Sequence, residues 1–196
     1  MDTFSPTDAE AYKALARTWA ATVTVVTARR RAALVSSEKP ELDGFTATAF
    51  LTISIDPPII AVSVGRSSGA DALLKESESF AVNFLRADQG EVSAAFARPS
   101  RDRGDLLQRV GWKPDAAGVP LLEGTAGAFS AKVRQVVEAG DHLVVFGNVA
   151  AIHQGTASDT LVYCNRSYGR LSRSSRRAER GTLRRADGTL RRAGGT

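Results

Sequence analysis

Short β-branched and apolar runs follow one another at hairpin spacing along this chain, and no regular strand–helix alternation interrupts them. Thr22–Ala28 (TVTVVTA), Phe45–Ile55, Ile59–Val64, Phe80–Leu85, Ala128–Val137, Leu143–Ile152 and Leu161–Asn165 all read as strands, with a weaker strand-like piece at Ala32–Ser36 before a loop at Ser37–Glu41. Asp56-Pro57-Pro58 closes the longest of them, because proline donates nothing to a ladder. Helical signals are few. Ser5-Pro6-Thr7-Asp8 reads as a helix start with Ser5 as the cap, and Tyr12, Leu15, Ala16 and Trp19 then repeat at helical spacing. Ser67–Ser77 fits a short helix with Leu73 and Leu74 inward. Asp88 and Glu91 form a capping-box pattern before a helix reaching Phe96. Arg98–Gly124 reads as loops with one helical turn near Leu106. The expected class is mainly β, an antiparallel β-barrel with a few short helices. No GxGxxG follows a strand, which weighs against a dinucleotide-binding Rossmann domain.

Charge divides the chain in two. The net charge is +5 over 196 residues. Residues 173–196 contain eight arginines against Glu179 and Asp187, a net +6, which leaves residues 1–172 at −1. The expected division is therefore a domain over 1–172 and an Arg/Gly-rich tail over 173–196, too poor in core-forming residues to fold alone. The basic pI belongs to the tail, so nucleic-acid binding is not expected of the domain. Two histidines and one cysteine argue against a nitrogen/sulfur metal site, and the lone Cys164 permits no internal disulfide. No signal peptide and no membrane-spanning run is apparent, so a soluble cytoplasmic protein is expected.

Four segments could carry chemistry. Phe45–Ser54 (FTATAFLTIS) is rich in alanine and threonine. Small residues let a planar ligand approach the backbone while hydroxyls bond its oxygens; the competing reading is a half-exposed strand with threonines facing water. Ser63–Gly69 (SVGRSSG) lies where a strand meets a helix, with two hydroxyls and one arginine, either a phosphate cradle or an ordinary serine cap. Gly140-Asp141-His142 places one of two histidines at a strand entrance. Arg166-Ser167-Tyr168-Gly169-Arg170 flanks an aromatic with two arginines, which could stack on a ring or pair with phosphate, or simply end the chain in water. Candidate acids and bases are scarce. That scarcity suits a reaction whose chemistry resides in cofactors.

Together these segments resemble the flavin reductase family, the small reductase partners of two-component flavin-dependent monooxygenases. Ala21–Thr27 (ATVTVVT) is similar to the family's tGVTVVT, Gly44–Phe50 (GFTATAF) to its GmTaxSF, and Thr52–Pro58 (TISIDPP) to its SVSLdPP. Ile59–Val64, Phe80–Leu85 and Gly140-Asp141-His142 follow in the family's order. The resemblance implies an FMN-binding split barrel with a Greek-key core, working as a homodimer. It implies an NAD(P)H-dependent flavin reductase that moves a hydride from NADH or NADPH to FMN or FAD, supplying a separate monooxygenase. The alternative is a split-barrel flavoprotein that keeps its flavin as an electron carrier or sensor. By motif position, Thr46, Ala47, Thr48 and Ala49 would line the flavin, and Ser63, Val64, Gly65, Ser67 and Ser68 would hold its phosphate side. Asn83 and Phe96 carry over less directly. His142 would sit near the nicotinamide, and Tyr168 matches an aromatic close to the chain end. No side chain is implied as catalytic acid or nucleophile. Ala21 and Ala49 depart from the commoner Gly and Ser, and the Arg-rich tail is foreign to the family.

Overall fold

A computed structural model describes residues 3–35, 41–66, 68–98, 103–155 and 159–171. Its centre is a seven-stranded antiparallel sheet ordered β3-β2-β6-β9-β10-β5-β4. The strands are β2 (Thr24–Arg30), β3 (Leu42–Ala47), β4 (Phe50–Ile55), β5 (Pro58–Gly65), β6 (Ser77–Phe84), β9 (Gly127–Ala139) and β10 (His142–Gln154). The two edge strands, β3 and β4, are consecutive in the chain and joined only by Thr48 and Ala49. Laid flat, seven strands at about 4.8 Å spacing would separate those edges by roughly 29 Å. Three Cα steps from Ala47 to Phe50 span at most about 11 Å. The sheet therefore has to curl until its edges meet, giving a barrel split at the Thr48–Ala49 corner. The non-sequential neighbours β2/β6 and β10/β5 are the crossings of a Greek key. The mainly β class agrees with the reading of the strands, and the split, Greek-keyed barrel with what the family resemblance implied.

Strand alternation sorts the side chains. On β2, Val26 and Ala28 face the barrel interior, where Ile60, Val62, Phe80, Val82, Leu143 and Val145 join them. Val23 and Val25 face outward and pack with Leu85, Phe96, Leu107 and Leu161 in a second cluster. Phe50, Phe84 and Phe129 meet with ring centroids 5.2–6.2 Å apart. Helix α2 (Ala70–Lys75) packs Leu73 and Leu74 into the interior cluster. Arg30, nearly buried, holds Glu76 at 2.9 Å and Asp43 at 3.4 Å, tying β2 to β3 and to the C-terminus of α2. Helices α3 (Gly90–Ala97) and α4 (Arg103–Val110) belong to the outer layer, with a short hairpin of β7 (Trp112–Pro114) and β8 (Pro120–Leu122). A three-stranded sheet, β1-β11-β12, joins β1 (Ala21–Thr22) to β11 (Leu161–Cys164) and β12 (Ser167–Arg170). No helix among the described residues is long and apolar enough to cross a membrane.

Several local expectations need correction. The first helix, α1 (Ala9–Ala16), is capped by Asp8, whose carboxylate accepts from Glu10 and Ala11 N–H. Ser5 instead closes the preceding turn, its carbonyl accepting from Asp8 N–H. Ala32–Leu34 is a 3-10 turn, not a strand. The run Phe45–Ile55 breaks into β3 and β4. Asp88 does not cap α3; it pairs with Arg86, and Gln89 occupies the cap position with its side-chain carbonyl on Arg86 N–H. The region after Arg98 holds two turns of helix and a hairpin instead of loops. Ser67 and residues 173–196 lie outside the described residues.

Candidate functional site

The split corner is pinned from both sides. Thr24 Oγ1 donates to Ala47 carbonyl at 2.8 Å, and Ser63 N–H donates to Ala49 carbonyl at 2.9 Å. Between those anchors Thr48 and Ala49 are exposed. Beside them opens a cleft of about 330 Å3. Its walls bring together Thr46, Ala47, Thr48 and Ala49 with Ser63, Val64 and Gly65. Ser68, Phe96 and His142 complete it, so ten of the thirteen residues singled out in the sequence border one space.

Each wall has a local cause. Gly44 lets α3 settle on β3: a Cβ there would stand 2.9 Å from Val26 carbonyl and 3.3 Å from the Phe96 ring. Phe96 is consequently buried and forms part of the wall. Thr46 Oγ1 donates to Ser93 carbonyl at 2.6 Å, so its hydroxyl points to α3; on the cleft wall only Thr48 and Ser63 retain hydroxyls with no hydrogen-bond partner among the described residues. Gly65 pairs opposite His142, and a Cβ on Gly65 would lie 3.8 Å from His142 Nε2. His142 Nδ1 is 2.7 Å from Asp141 Oδ1, which turns the other ring nitrogen toward the cleft. The same contact holds the Asp141 carboxyl below its ordinary range, first by hydrogen bonding and then by charge. Ser68 Oγ donates to Gly65 carbonyl at 2.7 Å and accepts from Ala70 N–H, an ordinary start to α2. Arg66 is paired with Glu138 at 3.6 Å.

Two candidates lie elsewhere. Asn83 is fully buried, donating to Val25 carbonyl and Thr27 Oγ1 and accepting from Leu122 N–H; its amide knots β2, β6 and β8 and does not border the cleft. Tyr168 reaches Ser93 Oγ at 2.9 Å and packs on Tyr163, also away from the cleft. Ser67 is not described.

A second lobe of about 630 Å3 shares Thr48, Ala49 and Ser63 with the cleft. It lies over the outer surface of β5 and β10 at Ala61 and Val144, under Tyr12 and Trp19 of the α1 region, with Arg17 and Arg166 among its walls. Sequence reasoning read the α1 stripe as an amphipathic helix without linking it to the site. The available signal was Arg17 beside Trp19, just ahead of the first strand.

His142 is the only titratable side chain on the cleft wall among the described residues. No group of three or more His, Cys, Asp or Glu among the described residues is placed to hold a metal. A concave space of this size, walled by alanine and glycine with hydroxyls at its mouth, suits a flat heteroaromatic ligand with polar edges. It supplies placement, with very little acid–base chemistry.

Comparison with known proteins agrees. Residues 16–172 match the family described as "Flavin reductase like domain". The chain belongs to this flavin reductase family. The NADH:FMN oxidoreductase of Rhodococcus qingshengii is 32% identical over 163 residues, 81% of this chain and 80% of that protein. A probable flavin reductase of Rhizobium meliloti is 35% identical over 146 residues, 74% of this chain. This chain spans only 43% of that relative's length. Among solved structures, BorF, the flavin reductase component of a bacterial two-component tryptophan halogenase, superposes with TM-score 0.73 at 29% identity, covering 84% of this chain and 98% of BorF. Membership of the flavin reductase family accounts for the order of the sequence motifs and for the split barrel together.

Proposed function

We propose that the protein is an NAD(P)H-dependent flavin reductase, taking FMN or FAD in the cleft and passing the reduced flavin to a separate monooxygenase. The observation that carries this reading is the exposed Thr48–Ala49 corner, opening on a small-residue cleft with a single titratable side chain. When both cofactors are bound, hydride passes from the nicotinamide to the flavin, a step that needs orientation and exclusion of water more than acid–base groups. In this reading Ala47, Ala49 and Gly65 give the flavin close access to the backbone. Thr48 and Ser63 offer hydroxyls to its polar edge. Ser67 and Ser68 hold the phosphate side, and His142, steadied by Asp141, faces the nicotinamide.

The relatives named as an NADH:FMN oxidoreductase and as a component of a two-component halogenase support the donor, the acceptor and a partner oxygenase. Exposed Leu51, Ile53 and Ile55 on edge strand β4 support a homodimer, because a monomer leaves that apolar edge in water. The single cysteine fits a cytoplasmic protein. In this reading the reductase domain is residues 1–172, followed by the Arg/Gly-rich segment 173–196. Steady-state oxidation of NADH and NADPH with FMN, FAD and riboflavin tests the assignment. Turnover only with added flavin is expected; no turnover with any flavin would overturn it.

A further inference from the structure

The larger lobe has a composition unlike the cleft it adjoins. Tyr12, Trp19, Phe50 and Tyr163 give it aromatic walls. Trp19 is 77% exposed and Tyr12 73%, values that leave their faces open to a ligand. Two arginines, Arg17 and Arg166, line it together for a structural reason. Asn165 N–H donates to Arg17 carbonyl at 2.8 Å, fastening the end of α1 to the β11–β12 turn. Asn165 and Arg166 both take positive φ in that turn, which sets Arg166 beside Arg17. Both arginines also reach the field of Glu10, whose carboxyl is held low chiefly by its hydrogen bond with Lys13 and in smaller part by Arg17 and Arg166. Lys13 is thereby compensated. No acidic side chain lines the lobe, and neither guanidinium has an ion-pair partner among the described residues. Two open cations beside exposed aromatic faces select a planar heterocycle that carries phosphate.

We propose that this lobe binds the adenosine diphosphate group of a dinucleotide, with Trp19 and Tyr12 against the adenine and Arg17 and Arg166 on the diphosphate. Continuity through Thr48, Ala49 and Ser63 places that group at one end of a single site whose other end is the cleft. The inference rests on the reductase reading, which supplies two ligands bearing this group: NAD(P)H, or FAD with its diphosphate on the arginines in place of Ser67 and Ser68. It also makes the α1 region, outside the barrel, the part that distinguishes dinucleotides from mononucleotides.

The test begins with ADP alone. Titration of the full chain, followed by calorimetry, should show saturable binding that weakens at least tenfold in Arg17→Ala/Arg166→Ala and in Trp19→Ala, while Trp19→Phe retains most of it. Two further arms identify the source. Loss of affinity for FAD but not FMN in the arginine variant assigns the lobe to the flavin. A raised KM for NADH but not for reduced nicotinamide mononucleotide assigns it to the hydride donor. ADP binding that is absent, or unchanged in folded variants, overturns the proposal. So does a Trp19→Ala chain that loses dimers but binds ADP as before, which would make the lobe a seat for a second copy. Failure of the reductase reading looks different: ADP would bind through the arginines while no flavin is reduced.

Discussion

Ser93 Oγ and Tyr168 Oη lie 2.9 Å apart, and this contact joins the last hairpin to helix α3 beside the cleft. Ser93 is fully buried, whereas Tyr168 is 44% exposed. The two partners are therefore unequal. Removing the serine hydroxyl leaves the tyrosine free to bond water, at a cost of about 1 kcal/mol. Removing the tyrosine hydroxyl strands a buried donor, at about 1–3 kcal/mol. Tyr168→Phe should thus lower the melting temperature more than Ser93→Ala. Equal losses would show that the serine turns back to the helix carbonyl of Gln89.

Thr48 should control flavin affinity. It is exposed at the split corner and lines both the cleft and the lobe. Thr48→Leu replaces a hydroxyl with a larger apolar group in that opening. At least a tenfold rise in flavin Kd is expected, about 1.4 kcal/mol. Fluorescence titration measures it, and an unchanged Kd in a folded variant would remove the corner from the site.

His142→Ala should raise KM for the nicotinamide cofactor more than it changes flavin Kd, since its open nitrogen faces the cleft beyond Gly65. The same substitution has a titration signature. His142 depresses the Asp141 carboxyl, so the pairing is present above the ordinary carboxylate pKa and is lost as pH falls through the depressed one. An NMR titration of Asp141 should move up toward the ordinary value in His142→Ala. An Asp141 that titrates identically in both proteins would show that the pairing does not form in solution.

The parts of this fold legible in the sequence were those where residue type alone dictates backbone behaviour. β-Branched runs gave the barrel strands, and prolines 57 and 58 marked the β4–β5 turn. Leu73 and Leu74 pointed inward as their spacing required. The errors arose where a side chain had two partners to choose between. Asp88 offered itself as a cap but found Arg86, and Ser5 lost the cap to Asp8. The break between β3 and β4 was hidden because Thr48 and Ala49 have no turn chemistry; barrel closure makes the corner. Asn83 resembled a ligand contact because a buried amide is costly unless bonded, and only the structure shows that Val25, Thr27 and Leu122 satisfy it. The larger lobe was illegible for another reason: an amphipathic helix normally buries its stripe, and α1 leaves Tyr12 and Leu15 exposed.

Gly147 should tolerate no side chain. A Cβ there would lie 2.7 Å from one Phe80 ring carbon, 2.8 Å from another and 2.9 Å from Ala131 Cβ. Phe80 is fully buried, so the ring has nowhere to withdraw. Gly147→Ala should cost about 1–3 kcal/mol by overpacking, and Gly147→Val more. Gly169→Ala is the control: a Cβ there meets nothing within 4 Å, so its effect should stay within about 0.5 kcal/mol. Denaturant midpoints would decide, and equal effects at the two glycines would contradict the packing of Phe80.

The tail should be dispensable for the barrel and for turnover. Apart from Leu183 and Leu190, residues 173–196 contain no large apolar side chain, so little surface can be buried in exchange for ordering the segment. Its net +6 would need an acidic partner, and residues 1–172 sum to −1. The family match also stops at residue 172, just beyond β12, so every strand of the barrel is complete before the arginines begin. A stop after Ser172 should therefore leave the melting temperature and kcat for flavin reduction nearly unchanged. It should also abolish most of any salt-sensitive binding to polyanions, because the positive charge leaves with the tail. A fall of several degrees, or loss of dimers in the truncated chain, would show instead that the arginines dock on the domain and serve its assembly.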